Sequence, residues 1–201
     1  MRRVVILALL ALALPIAASA GTIDITNQFG SISISASGIT ETGSQLTKWD
    51  GITGHLGSVT FSTGVCLSGC NGSGIPGSSA IFSDVGSSFD IVCHQAACGG
   101  NNLALFTGAF TGPITWTQTG FGNNLTFTLT GTIAGMLANG HFVTGTTVQT
   151  IYSVADQLNA GVGHIRVGDT NLVVPEPGTL GLLGTGLVGI AGMFRRKILG
   201  V

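Results

Sequence analysis

The feature that most constrains the fold is an alternation of apolar and hydroxyl-bearing residues between positions 125 and 133. Its apolar members are Leu125, Phe127, Leu129 and Ile133, and its hydroxyl-bearing members are Thr126, Thr128, Thr130 and Thr132. Successive side chains of a strand point to opposite faces of a sheet, so this period of two indicates a strand with one buried face and one hydroxylated face. No long stretch of residues 21–174 shows the period of an amphipathic helix.

Other short runs have the composition of strands, and clusters of Gly, Asn and Pro separate them. They are residues 23–26, 31–35, 58–62, 80–83, 89–92, 103–110, 114–119, 142–154 and 164–167. Asn139-Gly140 predicts a type I′ hairpin turn between Met136 and Phe142. Many short strands with regular turns predict an all-β fold, with an antiparallel β-sandwich or barrel-like body. A β-solenoid is the architectural alternative.

The N-terminus has the three parts of a secretory signal peptide. Arg2 and Arg3 precede an apolar run at residues 4–14, and Ala18 and Ala20 form an A-x-A cleavage site. Because the apolar run follows the two arginines at once, we favour Sec export over the twin-arginine route. Residues 1–20 are therefore predicted to be a signal peptide, and the exported β-rich body to be residues 21–173.

The C-terminus combines a rigid motif, an apolar run and a basic cluster. Pro175, Glu176 and Pro177 form an extended tripeptide, because each proline pushes the residue before it out of the helical region. Residues 179–194 carry no charge and predict a single hydrophobic transmembrane helix, about 24 Å long against a hydrocarbon core of about 30 Å. The basic cluster of Arg195, Arg196 and Lys197 is expected to stop transfer and remain cytoplasmic.

In this order, these parts resemble the PEP-CTERM sorting signal, here residues 174–198. The resemblance implies an exosortase as partner, an intermediate anchored in the inner membrane, removal of the tail, and delivery to the cell surface or extracellular space. It also implies association with exopolysaccharide and biofilm. An ordinary single-pass anchor is the alternative. The G-x-G-x-x-G pattern at residues 184–189 lacks the strand, helix and acidic residue of a dinucleotide site, so no cofactor is expected.

The charge of the predicted body excludes one class of partner. Residues 21–174 contain Lys48 and Arg166 as their basic residues, against seven acidic residues. With histidine neutral, their net charge is about −5. No basic patch is present to neutralise phosphates, so nucleic acid is not an expected partner.

Four cysteines fall in the first half of the body. Cys66, Cys70, Cys93 and Cys98 are predicted to form two disulfides, because exported compartments oxidise paired thiols. Pairing of Cys66 with Cys70 and of Cys93 with Cys98 is favoured, since each pair brackets a turn-rich loop, and crossed pairing is the alternative. With His94 beside Cys93, a zinc site is the competing interpretation. No metal is expected.

Residues suited to catalysis are sparse. The G-x-S-x-G motif is absent, and Asp84 and Asp90 lack a supporting motif for glycoside cleavage or calcium binding. Trp116 is expected in the core, whereas Trp49, between two charged residues, is expected to be exposed as a glycan contact. The sequence therefore predicts a non-enzymatic surface or extracellular-matrix protein. A carbohydrate-binding module acting on the exopolysaccharide is the alternative, and a secreted hydrolase is the weakest.

Overall fold

The computed structural model describes residues 21–100, 102–120 and 124–174, and their compact body runs from Thr22 to Val174. Within the described residues the sheet has twelve strands. They are β1 (Thr22–Gln28), β2 (Ser31–Ser35), β3 (Gly38–Trp49), β4 (Ile52–Ser62), β5 (Cys66–Cys70), β6 (Pro76–Phe82), β7 (Ser88–Cys93), β8 (Leu103–Phe110), β9 (Ile114–Gln118), β10 (Asn124–Leu137), β11 (Phe142–Val154) and β12 (Val162–Val173). A short helix, α1 (Ala155–Asn159), joins β11 to β12, and a 3-10 turn spans Ala96–Cys98.

The strand pairings close on themselves. From β12, successive neighbours are β2, β3, β4, β7, β8, β10 and β11, and β11 pairs with β12 again. β1 bridges β12 and β3 beyond the end of β2. β9, β6 and β5 branch from the first half of β10, so β5 is the described strand that is paired on one side alone.

All of these pairings are antiparallel, which confirms the predicted all-β, antiparallel body. The β-solenoid alternative is wrong, because neighbouring coils of a solenoid pair in parallel. The predicted strands 31–35, 103–110 and 142–154 coincide with β2, β8 and β11. β3 and β5 were not predicted. No helix among the described residues is long and apolar enough to cross a membrane.

Aromatic packing fills much of the core. The Phe89 ring lies 5.9 Å from that of Phe61 and 5.8 Å from that of Phe110, the second pair edge to face. Trp116 is fully buried and stacks on Phe127 with ring centroids 4.5 Å apart. Offset-stacked and edge-to-face pairs of this kind are favourable beyond the area that they bury. The prediction that Trp116 is a core residue is confirmed.

The hairpin between β10 and β11 forms where it was predicted, with Met136 opposite Phe142. Its predicted turn type is wrong. The amide of Gly140 donates to the Leu137 carbonyl at 2.9 Å, and Gly140 has φ 81. Among described residues other than glycine, positive φ is confined to Phe29, Asp50 and Asn102, so Asn139 lacks the left-handed conformation that type I′ requires. The Asn139 side chain instead accepts the His141 amide at 3.0 Å.

Candidate functional site

Polar side chains occupy the interior where β1, β3, β11 and β12 meet. Each of them is at most 1% exposed. We call this group the polar core cluster; it comprises Asn27, Glu41, Ser44, Thr147, Gln149 and Thr170. Buried polar groups cost free energy unless they are hydrogen-bonded, so the arrangement of their partners decides whether the cluster stabilises the fold.

In the middle of β11 the usual alternation is inverted. Val148 is 40% exposed, while Thr147 and Gln149 on either side of it are fully buried. Val143 and Ile151, nearer the ends of the strand, occupy the same inward face and are also fully buried. The apolar ends of the strand thus hold the polar middle inside the body.

A glycine lets two amide side chains meet across β12. Gly168 is the register partner of Asn27 on one side and of Gln149 on the other. A Cβ added at Gly168 would overlap the oxygens of both amides. Gly30 has the same role beside the carboxyl group, because its added Cβ would overlap Glu41 and lie 2.6 Å from the Ser44 Cβ.

Hydrogen bonds connect the amides and hydroxyls of the cluster into one chain. Asn27 Nδ2 donates to Gln149 Oε1 at 3.0 Å, and Gln149 Nε2 donates to Asn27 Oδ1 at 3.3 Å. Asn27 Nδ2 also donates to Ser44 Oγ at 2.8 Å, and Gln149 Nε2 also donates to Thr147 Oγ1 at 2.8 Å. The hydroxyls of Thr147 and Thr170 are 2.8 Å apart. The chain therefore ties the four strands together.

Glu41 is the ionisable member of the cluster. The Ser44 amide donates to Glu41 Oε1 at 2.5 Å, whereas Oε2 has no hydrogen-bond partner among the described residues. Burial raises the pKa of Glu41 from 4.5 to about 7, and hydrogen bonds from Ser44 and from the Phe61 backbone oppose that rise. The charge of this carboxyl group therefore changes close to neutral pH.

The polar core cluster is suited to structure rather than to turnover. It is closed to solvent, and the Ser44 hydroxyl donates to the Val59 carbonyl at 3.3 Å. The hydrogen-bonded chain of amides and hydroxyls favours one arrangement of strands over others. These residues were not predicted from the sequence. The signal that the sequence offers is the pair of polar residues Thr147 and Gln149 on either side of Val148, which faces outward.

The outer surface of β9, β10 and β11 is rich in hydroxyl groups. We call it the threonine face; all its side chains are exposed or partly exposed, and it comprises Thr115, Thr117, Thr126, Thr128, Thr130, Thr132, Thr144, Thr146 and Thr150. One row crosses four strands through Ser79, Thr117, Thr128 and Thr150. Strand geometry repeats such hydroxyls about every 5 Å across the sheet and about every 7 Å along a strand.

Trp49 differs from its prediction. It ends β3 opposite Ile52 and packs partly buried against the core, rather than standing exposed. The reason is its position in the register, where it also pairs with Ile25 of β1. Next to it, Lys48 Nζ donates to Asp24 Oδ2 at 2.5 Å, and this hydrogen bond raises the pKa of Lys48.

The cysteines form the two favoured disulfides. Cys66 is bonded to Cys70 along the edge strand β5, and Cys93 to Cys98 at the end of β7. His94 does not join them, since its ring nitrogens lie 3.1 Å from Ser58 Oγ and 2.9 Å from Asn102 Oδ1. Among the described residues no group of three or more His, Cys, Asp or Glu side chains is placed to hold a metal ion.

The two aspartates considered for catalysis lie at a turn and on a strand. Asp84 accepts the Gly112 amide at 2.7 Å through its side chain and the Ser87 amide at 3.1 Å through its carbonyl, so it forms a turn. Asp90 lies on β7 beside Thr107 of β8. Burial raises the pKa of Asp90, and the hydrogen bond with Thr107 opposes that rise.

The predicted processing residues lie outside the described part of the chain. They are Ala18, Ala20, Pro175, Glu176, Pro177, Arg195, Arg196 and Lys197, together with the apolar helix at residues 179–194. The structure reaches the edge of this region, because β12 ends at Val173 and Val174 packs against the core.

Fold and disulfides define the class: an all-β body stapled by two disulfides, directly followed by a proline-flanked tail. Residues 173–197 match the family model described as the PEP-CTERM protein-sorting motif. This motif supports an exported protein that an exosortase sorts by way of a membrane-anchored intermediate. No curated protein and no solved structure matches the chain.

Proposed function

We propose that the chain is a non-enzymatic protein of the cell surface or extracellular matrix, exported by the Sec route and associated with exopolysaccharide in a biofilm. In this proposal residues 179–194 hold the intermediate in the inner membrane, and Arg195, Arg196 and Lys197 remain in the cytoplasm. The exosortase then removes the tail at the region of Pro175, Glu176 and Pro177.

The observation that carries the association is the threonine face. It offers uncharged hydroxyl groups over three neighbouring strands, whereas the side chains of the polar core cluster are buried inside the body. Hydroxyl groups donate and accept hydrogen bonds, directly or through ordered water, so they suit the hydroxyls of a polysaccharide.

Charge favours a neutral polysaccharide over a polyanion. The basic residues of the described body are Lys48 and Arg166, and Lys48 is already paired with Asp24. Asp169 lies beside Val148 at the border of the threonine face and adds a negative charge there. A polyanion would meet few partners and some repulsion.

The test is retention of the mature protein, purified from an exosortase-bearing host, on immobilised extracted exopolysaccharide. Valine keeps the shape and strand propensity of threonine while it removes the hydroxyl group. The row variant carries Thr117→Val, Thr128→Val and Thr150→Val, and the matched control carries three exposed changes elsewhere, Thr40→Val, Thr42→Val and Thr53→Val. We expect the row variant to lose retention and the control to keep it. Equal retention of the two variants contradicts the proposal.

A carbohydrate-binding module is the second candidate, and the position of Trp49 favours it. Trp49 is only partly buried at the end of β3, next to Ile52, which is 36% exposed. A module with a defined site would show saturable binding of short oligosaccharides that Trp49→Ala abolishes. A matrix protein would bind long chains through the threonine face and would tolerate that substitution.

The non-enzymatic assignment has a separate test. Native mature protein is incubated with panels of glycan, ester and peptide substrates, and product release is followed. We expect no turnover above that of the heat-denatured protein. Turnover that is lost in an Asp90→Asn variant would restore the hydrolase hypothesis.

A further inference from the structure

The two ends of the body lie side by side in the sheet. Thr22, the first residue of β1, is the register partner of Val173, the last residue of β12. On its other side Val173 pairs with Thr144 of β11. The end of β12 is therefore flanked by a strand on each side. We call this region, formed by the start of β1, the end of β12 and the start of β11, the terminal ladder.

The terminal ladder overlaps the sorting motif. The match to the motif begins at Val173, which is both the last residue of β12 and paired on both sides. Val174 is partly buried against the core, and Pro175 is the next residue. Leu172, just before, is fully buried. The first two positions of the matched motif are thus held by the folded body, and no spacer separates them from Pro175.

A peptidase that reads an extended segment needs access to its backbone and side chains. A strand end with neighbours on both sides does not offer its backbone, although the Val173 side chain is 40% exposed, so cleavage depends on how often that end is open. β1 and β12 also come from opposite ends of the body, and pairings that close such long loops form late because they cost chain entropy first. A period in which β1 does not yet cover the end of β12 therefore precedes closure.

We propose that the terminal ladder and the exosortase compete for the start of the sorting motif, so that the tail is processed before β1 closes on the end of β12. Folding of the body thereby sets a time limit on its release from the membrane. A chain that closes its ladder first stays attached for as long as the end of β12 remains paired.

The test is a pulse–chase measurement of tail removal from the full chain in an exosortase-bearing host. The staple variant carries Thr22→Cys with Val173→Cys, placed on the register partners so that a disulfide holds the ladder closed. We expect its processing rate to fall about tenfold or more. A tenfold fall corresponds to a rise of about 1.4 kcal/mol in the free energy of opening the end of β12. Thr22→Cys alone is the matched control and should be processed at the native rate. Val173→Cys alone carries the same change in the motif without the disulfide, so the fall is measured against its rate.

A rescue variant separates a hidden motif from a damaged fold. A flexible Gly-Ser linker followed by a second Val-Val pair is inserted between Val174 and Pro175 in the staple background, which places an intact motif outside the ladder. We expect processing to return to at least the native rate. Native-rate processing of the stapled chain, with its disulfide verified by mass spectrometry, overturns the proposal. Failure of the linker to rescue overturns it as well, because the staple would then act by another route.

Discussion

Replacement of Glu41 by glutamine tests the energetics of the polar core cluster. The carboxyl group is 1% exposed, and burial raises its pKa from 4.5 to about 7. The folded state therefore binds the proton more tightly than the unfolded state does. The resulting stabilisation is fully present below pH 4.5, falls as the pH rises through 7, and is absent above it. At 1.36 kcal/mol per pKa unit, the native protein should lose about 3 kcal/mol across this window.

The Glu41→Gln variant keeps the shape of the side chain and the acceptor for the Ser44 amide, but it cannot ionise. We expect the difference in unfolding free energy between variant and native protein to shift by about 3 kcal/mol in favour of the variant between pH 4.5 and pH 8. For a body of this size, that is a relative change in Tm of roughly 6–12 °C.

Guanidinium chloride unfolding at pH 4.5, 6 and 8 measures this difference. The comparison across pH matters more than either absolute value, because an unpaired amide at the position of Oε2 costs about 1–3 kcal/mol at every pH. Asp50→Asn, which removes an exposed carboxyl group, is the matched control for the loss of one negative charge. Parallel pH profiles for the native protein and the Glu41→Gln variant would refute the reasoning.

Three further predictions follow from other parts of the chain. Cys93→Ala with Cys98→Ala should lower the unfolding free energy by about 2 kcal/mol, measured by denaturant unfolding, because the disulfide closes a short loop. Gly168→Ala should lower Tm because its Cβ overlaps the Asn27–Gln149 amide pair, whereas Gly72→Ala, in open space, should leave Tm nearly unchanged in the same scan. Glu176→Ala should leave the chain membrane-bound and unprocessed, and a mature C-terminus identical to that of the native protein by mass spectrometry would contradict this.

The sequence predicted the class of fold because its apolar alternation is strong where the core is apolar. In β10 the apolar alternation is interrupted only by Gly131 between positions 125 and 133, and the inward Phe127, Leu129 and Ile133 are buried as expected. β3 was not predicted from the sequence, for two physical reasons. Its pairing with β4 shifts register between Glu41 and Ser44 and again between Leu46 and Lys48, which breaks the period of two. Two of its inward positions also carry polar side chains, Glu41 and Ser44.

The candidate site was missed for the same reason that β3 was missed. Isolated polar residues cost free energy inside a protein, so the residue pattern favours the outer face for Glu41 and Gln149. Hydrogen-bond partners offset that cost. These partners come from strands far apart in the sequence, such as Asn27 and Gln149, so the sequence pattern does not reveal them. The disulfides could be predicted from the sequence because each joins two cysteines of one local loop.

The polar core cluster also accounts for the register of β11. A slip of one residue turns every side chain of a strand to the opposite face, and in the middle of β11 such a slip would bury Val148 and expose Thr147 and Gln149. Hydrophobicity at these three positions favours the slipped register. The observed register keeps Val143 and Ile151 inside at the ends, and it places Gln149 across Gly168 from Asn27, where both amides are satisfied. Apolar ends and a matched polar middle thus agree on one alignment, and that alignment is the one that seats β12 between β1 and β11.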